Sequence, residues 1–263
     1  MLNLHVLRME LKRSLNGLLG WSLAVGIFIY AMLVMYPLVE DLYSQVSEEL
    51  LDLLDVFGGI PKNEIDYFAI EIGLLLQLFG AIFAALTGFN LISREEREQT
   101  ADLIYSLPVS RTAFFFTKLT AALIQALLFT IIVTLFSVLG FLSVNNNLNL
   151  SRFFIYMALF LLLLVLIAFL GAALACFLKR SAKSTIALII PLPLYLFTFF
   201  SSLTKNEILK KIKYISPFTF SDPLSFLKLK ESFEWLSFAI SGGISLALII
   251  AAMLLFRKRE FTN

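Results

Sequence analysis

The sequence has one histidine and one cysteine, and these shortages exclude several kinds of chemistry. His5 lies outside every long apolar stretch, so neither a metal site nor a Ser–His pair can be assembled within those stretches. Cys176 has no second cysteine with which to form an internal disulfide bond. The chain also lacks the Gly-rich loop, ending in Gly-Lys-Ser or Gly-Lys-Thr, that holds nucleotide phosphates in P-loop proteins. We therefore expect no enzymatic activity in this chain, and no metal or cofactor bound to it.

Charged residues are missing from six long apolar stretches, at residues 18–39, 72–92, 119–143, 153–178, 184–202 and 235–256. A helix needs about twenty such residues to cross a bilayer. Hydrophobic residues make up 59% of the chain and include 27 Phe, which is more apolar surface than one aqueous core of this size would hide. The sequence predicts an all-α membrane protein with six transmembrane helices, formed by residues 1–263 as a single domain.

The absence of ionisable side chains from these stretches also narrows the mechanism. Proton-coupled and ion-coupled carriers need a group in mid-membrane that takes up and releases the coupling charge. Polar residues such as Gln77, Asn90 and Gln125 can join helices or line a path, but they cannot store a proton. The remaining classes are a passive pore and a transporter whose energy comes from outside this chain.

Lysine and arginine residues are concentrated on alternate connections, which predicts the orientation. The connections richer in these residues are the N-terminal segment, residues 93–118, residues 179–183 and the C-terminal tail. Both termini are therefore expected in the cytoplasm. The loop at 203–234 is an exception, because it is rich in lysine and would lie outside. The basic residues form no single face, which argues against a nucleic-acid partner.

The segments outside the spans have their own patterns. Residues 1–17 repeat leucine at steps of three and four, which predicts an amphipathic interfacial helix on the bilayer surface. The stretch at 18–39 is too long for the core of a signal peptide and has no small-x-small cleavage site after it, so we expect a permanent helix. In residues 203–234, Pro217 and Pro223 interrupt any single helix, and the aromatic content favours short re-entrant pieces.

Two spans contain residues that bear on assembly and transport. Gly80, Ala84 and Gly88 form a smooth stripe on the second span, suited either to packing within the chain or to a dimer interface. Pro191 and Pro193 predict a kink or an opening in the fifth span, because neither has an amide hydrogen. Together with the aromatic residues that follow, they are candidates for the translocation path: Pro191, Pro193, Phe197 and Phe200. The same phenylalanines could instead simply face lipid.

The connection at 93–118 is predicted to contain an amphipathic cytoplasmic helix. Glu95, Glu98 and Asp102 share one face of it, whereas Leu103 and Leu107 lie on another. Pro108 ends this helix. An ordinary solvated connection is the alternative.

This connection resembles the corresponding loop of the permease subunits of type-2 ABC exporters. That loop has an acidic residue, a Gly-Thr pair, a hydrophobic run, Leu-Pro-Val-Ser-Arg and a lysine before the third span. The residues that match here are Glu95, Thr100, Leu107, Pro108, Val109, Ser110, Arg111 and Lys118. Gln99 replaces the usual glycine. The resemblance extends to the six-span layout and to the Ser216-Pro217-Phe218 loop.

The resemblance implies a subunit that pairs with a second copy of itself and binds two separate ABC ATPase subunits. ATP and Mg²⁺ would be bound by those partners. The residues implied in contact with the ATPase are Glu95, Glu98, Thr100, Asp102, Leu103, Leu107, Pro108 and Arg111. Such a permease exports an apolar or amphipathic substrate across a bacterial or archaeal cell membrane. A passive channel or secondary carrier, and a regulatory or immunity subunit that moves nothing, are the alternatives.

Overall fold

The structure is a computed structural model that describes residues 3–43, 58–98, 100, 110–145, 150–178, 182–203 and 211–258. The helices are α1 (Leu4–Val34), α2 (Tyr36–Tyr43), α3 (Glu64–Arg97), α4 (Arg111–Val144), α5 (Ser151–Phe177), α6 (Pro191–Leu203) and α7 (Trp235–Lys258). Within α3, Phe68–Ile72 is a π-helical segment, and a 3-10 helix at Ser184–Ile189 precedes α6. A 3-10 helix at Lys213–Ile215 and a π-helical segment at Leu224–Lys228 lie in the last loop.

Six of these segments are long and apolar enough to cross a membrane, which confirms the predicted all-α fold with six spans. They are Leu4–Val34, Glu64–Arg97, Arg111–Val144, Ser151–Phe177, Ser184–Ser201 and Trp235–Arg257. A helix satisfies all of its own backbone hydrogen bonds, and the hydrocarbon core offers no water to replace them. The long charge-free runs therefore form helices whatever their individual propensities.

Helix α1 is continuous, with no break between the predicted interfacial helix at 1–17 and the first span. Asn3 caps its start, since the side-chain oxygen accepts hydrogen bonds from the backbone of His5 and Val6. Leu4 and Leu15 of the predicted apolar stripe are exposed, whereas Glu10 is buried inside the protein. Leu7 and Leu11 of the same stripe pack partly against the core. The stripe therefore lies at the edge of the packed face of α1, which includes Val6 and Glu10.

The helices pack in pairs around an aromatic centre. Helix α1 lies mainly on α4, and α5 lies between α3 and α7. Phe83 of α3 and Phe129 of α4 stack with their ring centroids 4.6 Å apart. The ring of Phe160 on α5 lies 6.5 Å from that of Phe129, so these three aromatic residues connect three helices.

The small residues of α3 bring it close to α5. A methyl group on Gly88 would overlap the carbonyl oxygen of Ala168, and one on Gly171 would overlap that of Ala85. A side chain on Gly80 would press into Phe160. Ala84 is also buried. The stripe predicted as a dimer interface is thus covered by α5 of the same chain, because the smooth surface lets two backbones meet.

The fifth span is interrupted at its prolines, as predicted. The 3-10 helix ends at Ile189, and α6 begins at Pro191. Proline is well suited to the first position of a helix, where the missing amide hydrogen would have no partner inside the helix.

The last loop packs against the ends of the helices. Gln77 of α3 donates hydrogen bonds to Ser221, at 2.9 Å from its hydroxyl oxygen and also to its carbonyl oxygen. Asp222 accepts hydrogen bonds from Leu224 and Ser225, and the Ser225 hydroxyl lies 2.7 Å from it. Burial raises the pKa of the Asp222 carboxyl, while the hydrogen bonds from Ser225 and Leu224 oppose that shift. Phe218 and Phe220 are buried.

The loops separate into two ends of the molecule. At one end the pairs are Asn3 with Thr117, Arg13 with Glu98 and Arg111 with Arg257. At the other end they are Asn145 with Glu64, Arg152 with Phe226 and Lys228 with Gly58. The described starts of α1 and α4 and the described end of α7 thus share one end, as the predicted topology requires.

Candidate functional site

Three charged side chains meet inside the protein where α1, α3 and α4 converge. Lys118 Nζ lies 2.6 Å from Glu95 Oε1 and 3.1 Å from Glu10 Oε1. It also donates a hydrogen bond to the carbonyl oxygen of Leu91 and lies 4.9 Å from the ring centroid of Phe114. All three charged side chains are 0% exposed. We call Glu10, Glu95 and Lys118 the charge cluster.

The charge cluster is costly to bury and specific in its geometry. Taking charges out of water costs several kcal/mol for each ion, and only close pairing offsets that cost. One ammonium group faces two carboxylates here, so removal of Lys118 would leave two acids together without a counter-charge. The cluster therefore fixes α1, α3 and α4 to one another at the end where residues 93–118 connect two spans.

Glu10 was not identified from the sequence. It is the one acid in the N-terminal segment, which otherwise carries Arg8, Lys12 and Arg13. The sequence signal that could have identified Glu10 is that it is a single acid on an otherwise basic helix. The leucine pattern indicated instead the neighbouring face of α1, which carries Leu7 and Leu11.

Further polar contacts surround the charge cluster. The backbone amide of Asn3 donates to Thr117 Oγ1 at 3.1 Å, which ties the start of α1 to α4. Arg13 of α1 forms an ion pair with Glu98, the residue that caps the end of α3. The amide of Thr100 donates to the carbonyl oxygen of Glu95 at 3.0 Å. The chain thus turns back on α3 directly after the cluster.

The structure separates the residues that were predicted to contact an ATPase. Glu95 is buried in the charge cluster, so it does not lie on a surface that a partner could touch. It belongs to the last turns of α3, where Lys118 draws it inward. Glu98 and Arg111 are exposed, and Thr100 is partly buried. Asp102, Leu103, Leu107 and Pro108 lie outside the described residues.

The residues predicted for a translocation path also divide. Pro193 lines a cavity of about 400 Å³ among α5, α6 and α7, together with Leu170, Phe177, Ser241 and Ser245. Pro191 is buried, and Phe197 is half-buried. Phe200 is 62% exposed and points away from the protein. The structure therefore brings only Pro193 of this set to the cavity, whose walls are mostly apolar.

In the part of the chain that the structure describes, no group of His, Cys, Asp and Glu side chains could hold a metal ion. The sequence matches a family described as the C-terminal domain of the multidrug efflux system permease Rv1217c, over residues 6–257. A comparison with curated proteins found no match.

Proposed function

The chain belongs to the family of the multidrug efflux system permease Rv1217c, C-terminal domain, and from this premise we propose that it is the permease subunit of an ATP-driven exporter. It pairs with a second copy of itself and with two separate ABC ATPase subunits, which bind ATP and Mg²⁺. The substrate is apolar or amphipathic and leaves the cytoplasm. The chain crosses a bacterial or archaeal cell membrane with both termini inside.

The charge cluster is the observation that supports this proposal best. Residues 93–118 connect two spans, and Glu95 and Lys118 lie near the two ends of this connection. Glu10 adds α1 to the same contact. A force applied to the connection is thereby transmitted to three helices together, instead of being lost in a loop. An external ATPase needs such a rigid connection between the segment that it contacts and the spans that it moves.

The composition of the predicted apolar stretches, outside which the charge cluster lies, supports an external source of energy. The six predicted apolar stretches have no ionisable residue that could couple transport to an ion gradient. The chain has no P-loop. ATP hydrolysis on a partner supplies the missing energy in our proposal.

The proposed ATPase contact lies on the connection itself. Leu103 and Leu107 fill an apolar groove on the ATPase, while Glu98 and Asp102 meet basic groups at its rim. Charges at the rim of an interface set specificity and association rate more than affinity. Thr100, Pro108 and Arg111 hold the ends of the segment. Glu95 contributes from inside the protein, as an anchor of the segment.

The test is co-expression with an ABC ATPase encoded beside this chain, followed by co-purification and by efflux of a lipophilic fluorescent dye. Leu103→Asp should abolish both co-purification and efflux. Leu229→Asp is the matched control, because Leu229 is exposed at the opposite end of the molecule. If the Leu103→Asp complex still forms and exports, the segment is only a connection.

A second measurement separates the exporter from the alternatives. The complex is reconstituted in liposomes with an active ATPase or with one whose catalytic glutamate is replaced. Dye movement should require the active ATPase. Movement with the chain alone would instead identify a passive channel or a carrier. A stable complex without any movement would identify a regulatory subunit.

A further inference from the structure

A second cavity, of about 180 Å³, lies among α1, α3 and α4, next to the charge cluster. Arg13 and Arg94 are at its polar side, and Phe83 and Leu86 form apolar walls. Trp21 also lines it and is 36% exposed, so the cavity lies at the outer surface of the helices. Tryptophan is enriched at the membrane–water interface, where its ring can contact both lipid and headgroups.

The deepest polar group of this cavity has no partner. Gln125 lines the cavity and is 2% exposed, and its amide nitrogen Nε2 has no hydrogen bond to any residue that the structure describes. Gln125 follows Lys118 by seven residues, which places it about 10 Å further along α4. An unpaired buried amide is unfavourable, so an oxygen atom of a ligand would be stabilised there.

The cavity also has an excess of positive charge. Arg13 is paired with Glu98. Arg97 reaches Asn90, another lining residue, with 2.6 Å between Nη2 and Oδ1. Among the described residues that line the cavity, Arg13 and Arg94 are basic and none is acidic. Guanidinium groups bind phosphate strongly because their N–H groups match its oxygens.

We propose that this cavity binds an anionic phospholipid of the cytoplasmic leaflet. The phosphate lies between Arg13 and Arg94, and an ester carbonyl of the glycerol backbone accepts a hydrogen bond from Gln125 Nε2. The acyl chains follow the apolar walls at Phe83 and Leu86. A lipid fits better than free phosphate, because phosphate alone would leave these walls and the buried amide unused. The site holds α1 against α3 and α4, independently of the proposed export function.

The experiment measures lipid retained by the purified full-length chain. The protein is stripped of lipid in detergent, incubated with vesicles of phosphatidylcholine containing phosphatidylglycerol, and weighed intact by native mass spectrometry. Arg94→Gln should reduce phosphatidylglycerol retention about tenfold, as expected for the loss of a charge-assisted hydrogen bond. Gln125→Leu should reduce it several-fold. Lys12→Gln, which removes an exposed charge from α1 outside the cavity, should change it less than about twofold.

Several outcomes would overturn the proposal. Equal retention by Arg94→Gln and Lys12→Gln would mean that lipid binds through general surface charge. Equal retention of phosphatidylcholine and phosphatidylglycerol would exclude a site for an anionic headgroup. Displacement of the lipid by inorganic phosphate would identify a free-anion site instead. Arg94 is only partly buried, so that variant remains decisive even if Gln125→Leu fails to fold.

Discussion

The charge cluster shows how much a single buried residue can decide. Lys118 contacts both carboxylates of the cluster as well as a backbone carbonyl. Buried ion pairs of this kind add little net stability compared with apolar residues. Removal of one partner, however, strongly destabilises the protein, because the other charge stays buried without a counter-charge. The cluster therefore serves to define one arrangement of α1, α3 and α4.

Replacement of Lys118 by methionine should destabilise the protein by about 3–5 kcal/mol, because it leaves Glu10 and Glu95 buried together without a counter-charge. The measurement is the midpoint of thermal unfolding in detergent. Lys12→Met is the control, because Lys12 is an exposed lysine on α1, the helix that carries Glu10.

A rescue variant makes this prediction specific. The triple change Glu10→Gln, Glu95→Gln and Lys118→Met removes all three charges and should recover much of the lost stability. If Lys118→Met alone unfolds at the wild-type temperature, the cluster does not hold these helices together.

The ion pair between Arg13 and Glu98 tests a different role, because both side chains are partly exposed. Glu98→Arg should cost less than about 1 kcal/mol of stability, as usual for exposed pairs. It should nevertheless lower substrate-stimulated ATP hydrolysis by the complex if Glu98 contacts the ATPase as proposed. Adding Arg13→Glu restores the opposite charges within the chain and should not restore hydrolysis. If hydrolysis recovers in that charge swap, Glu98 acts through its ion pair with Arg13 and not through a contact with the ATPase.

At the scale of the helices, the close approach of α3 and α5 is decided by glycine. Gly88 and Gly171 lie where the two backbones meet, and neither position has room for a methyl group. The contact excludes lipid from between these helices and removes the Gly80 stripe from the outer surface.

Gly88→Ala should therefore destabilise the single chain, because α3 and α5 must move apart. We expect a loss of about 1–3 kcal/mol, as in other overpacked cores, measured by thermal unfolding in detergent. Gly243→Ala is the matched control, since nothing lies within 4 Å of a methyl group built on that helical residue. If the two variants are equally stable and only Gly88→Ala loses the dimer, the stripe forms a dimer interface and not a contact within the chain.

At the scale of the whole molecule, alternate connections lie at opposite ends. The contacts of Arg13 with Glu98 and of Arg111 with Arg257 gather the predicted cytoplasmic segments at one end. The contacts of Arg152 and Lys228 gather the predicted outer segments at the other. The lysine-rich loop thus belongs with the outer group, as the exception to the charge bias requires.

Cysteine labelling tests which end is cytoplasmic. In a Cys176→Ala background, Lys62→Cys should react with a membrane-impermeant maleimide in intact cells. Glu98→Cys should react only after the membrane is permeabilised. Both residues are exposed, so accessibility across the membrane and not burial would decide the result. Labelling of position 98 in intact cells would invert the proposed topology.

The sequence predicted the spans and the break at Pro191 because these depend on local properties. Hydrophobic length determines whether a segment can cross a bilayer, and a missing amide hydrogen determines where a helix is interrupted. The contact residues were harder to predict. Glu95 and Glu98 looked equivalent on one helical face, yet one is buried and the other is exposed.

By itself, the sequence determined that this protein is a six-helix membrane domain, because a bilayer enforces helices on long charge-free segments. Only the tertiary structure decided which side chains meet. One partner of Lys118 is Glu10, which lies more than one hundred residues away from it in the chain. Helical periodicity reports which residues share a face, but it carries no information about which other helix covers that face. The burial of Glu95 and the use of Gly88 inside the chain follow from that choice of neighbour.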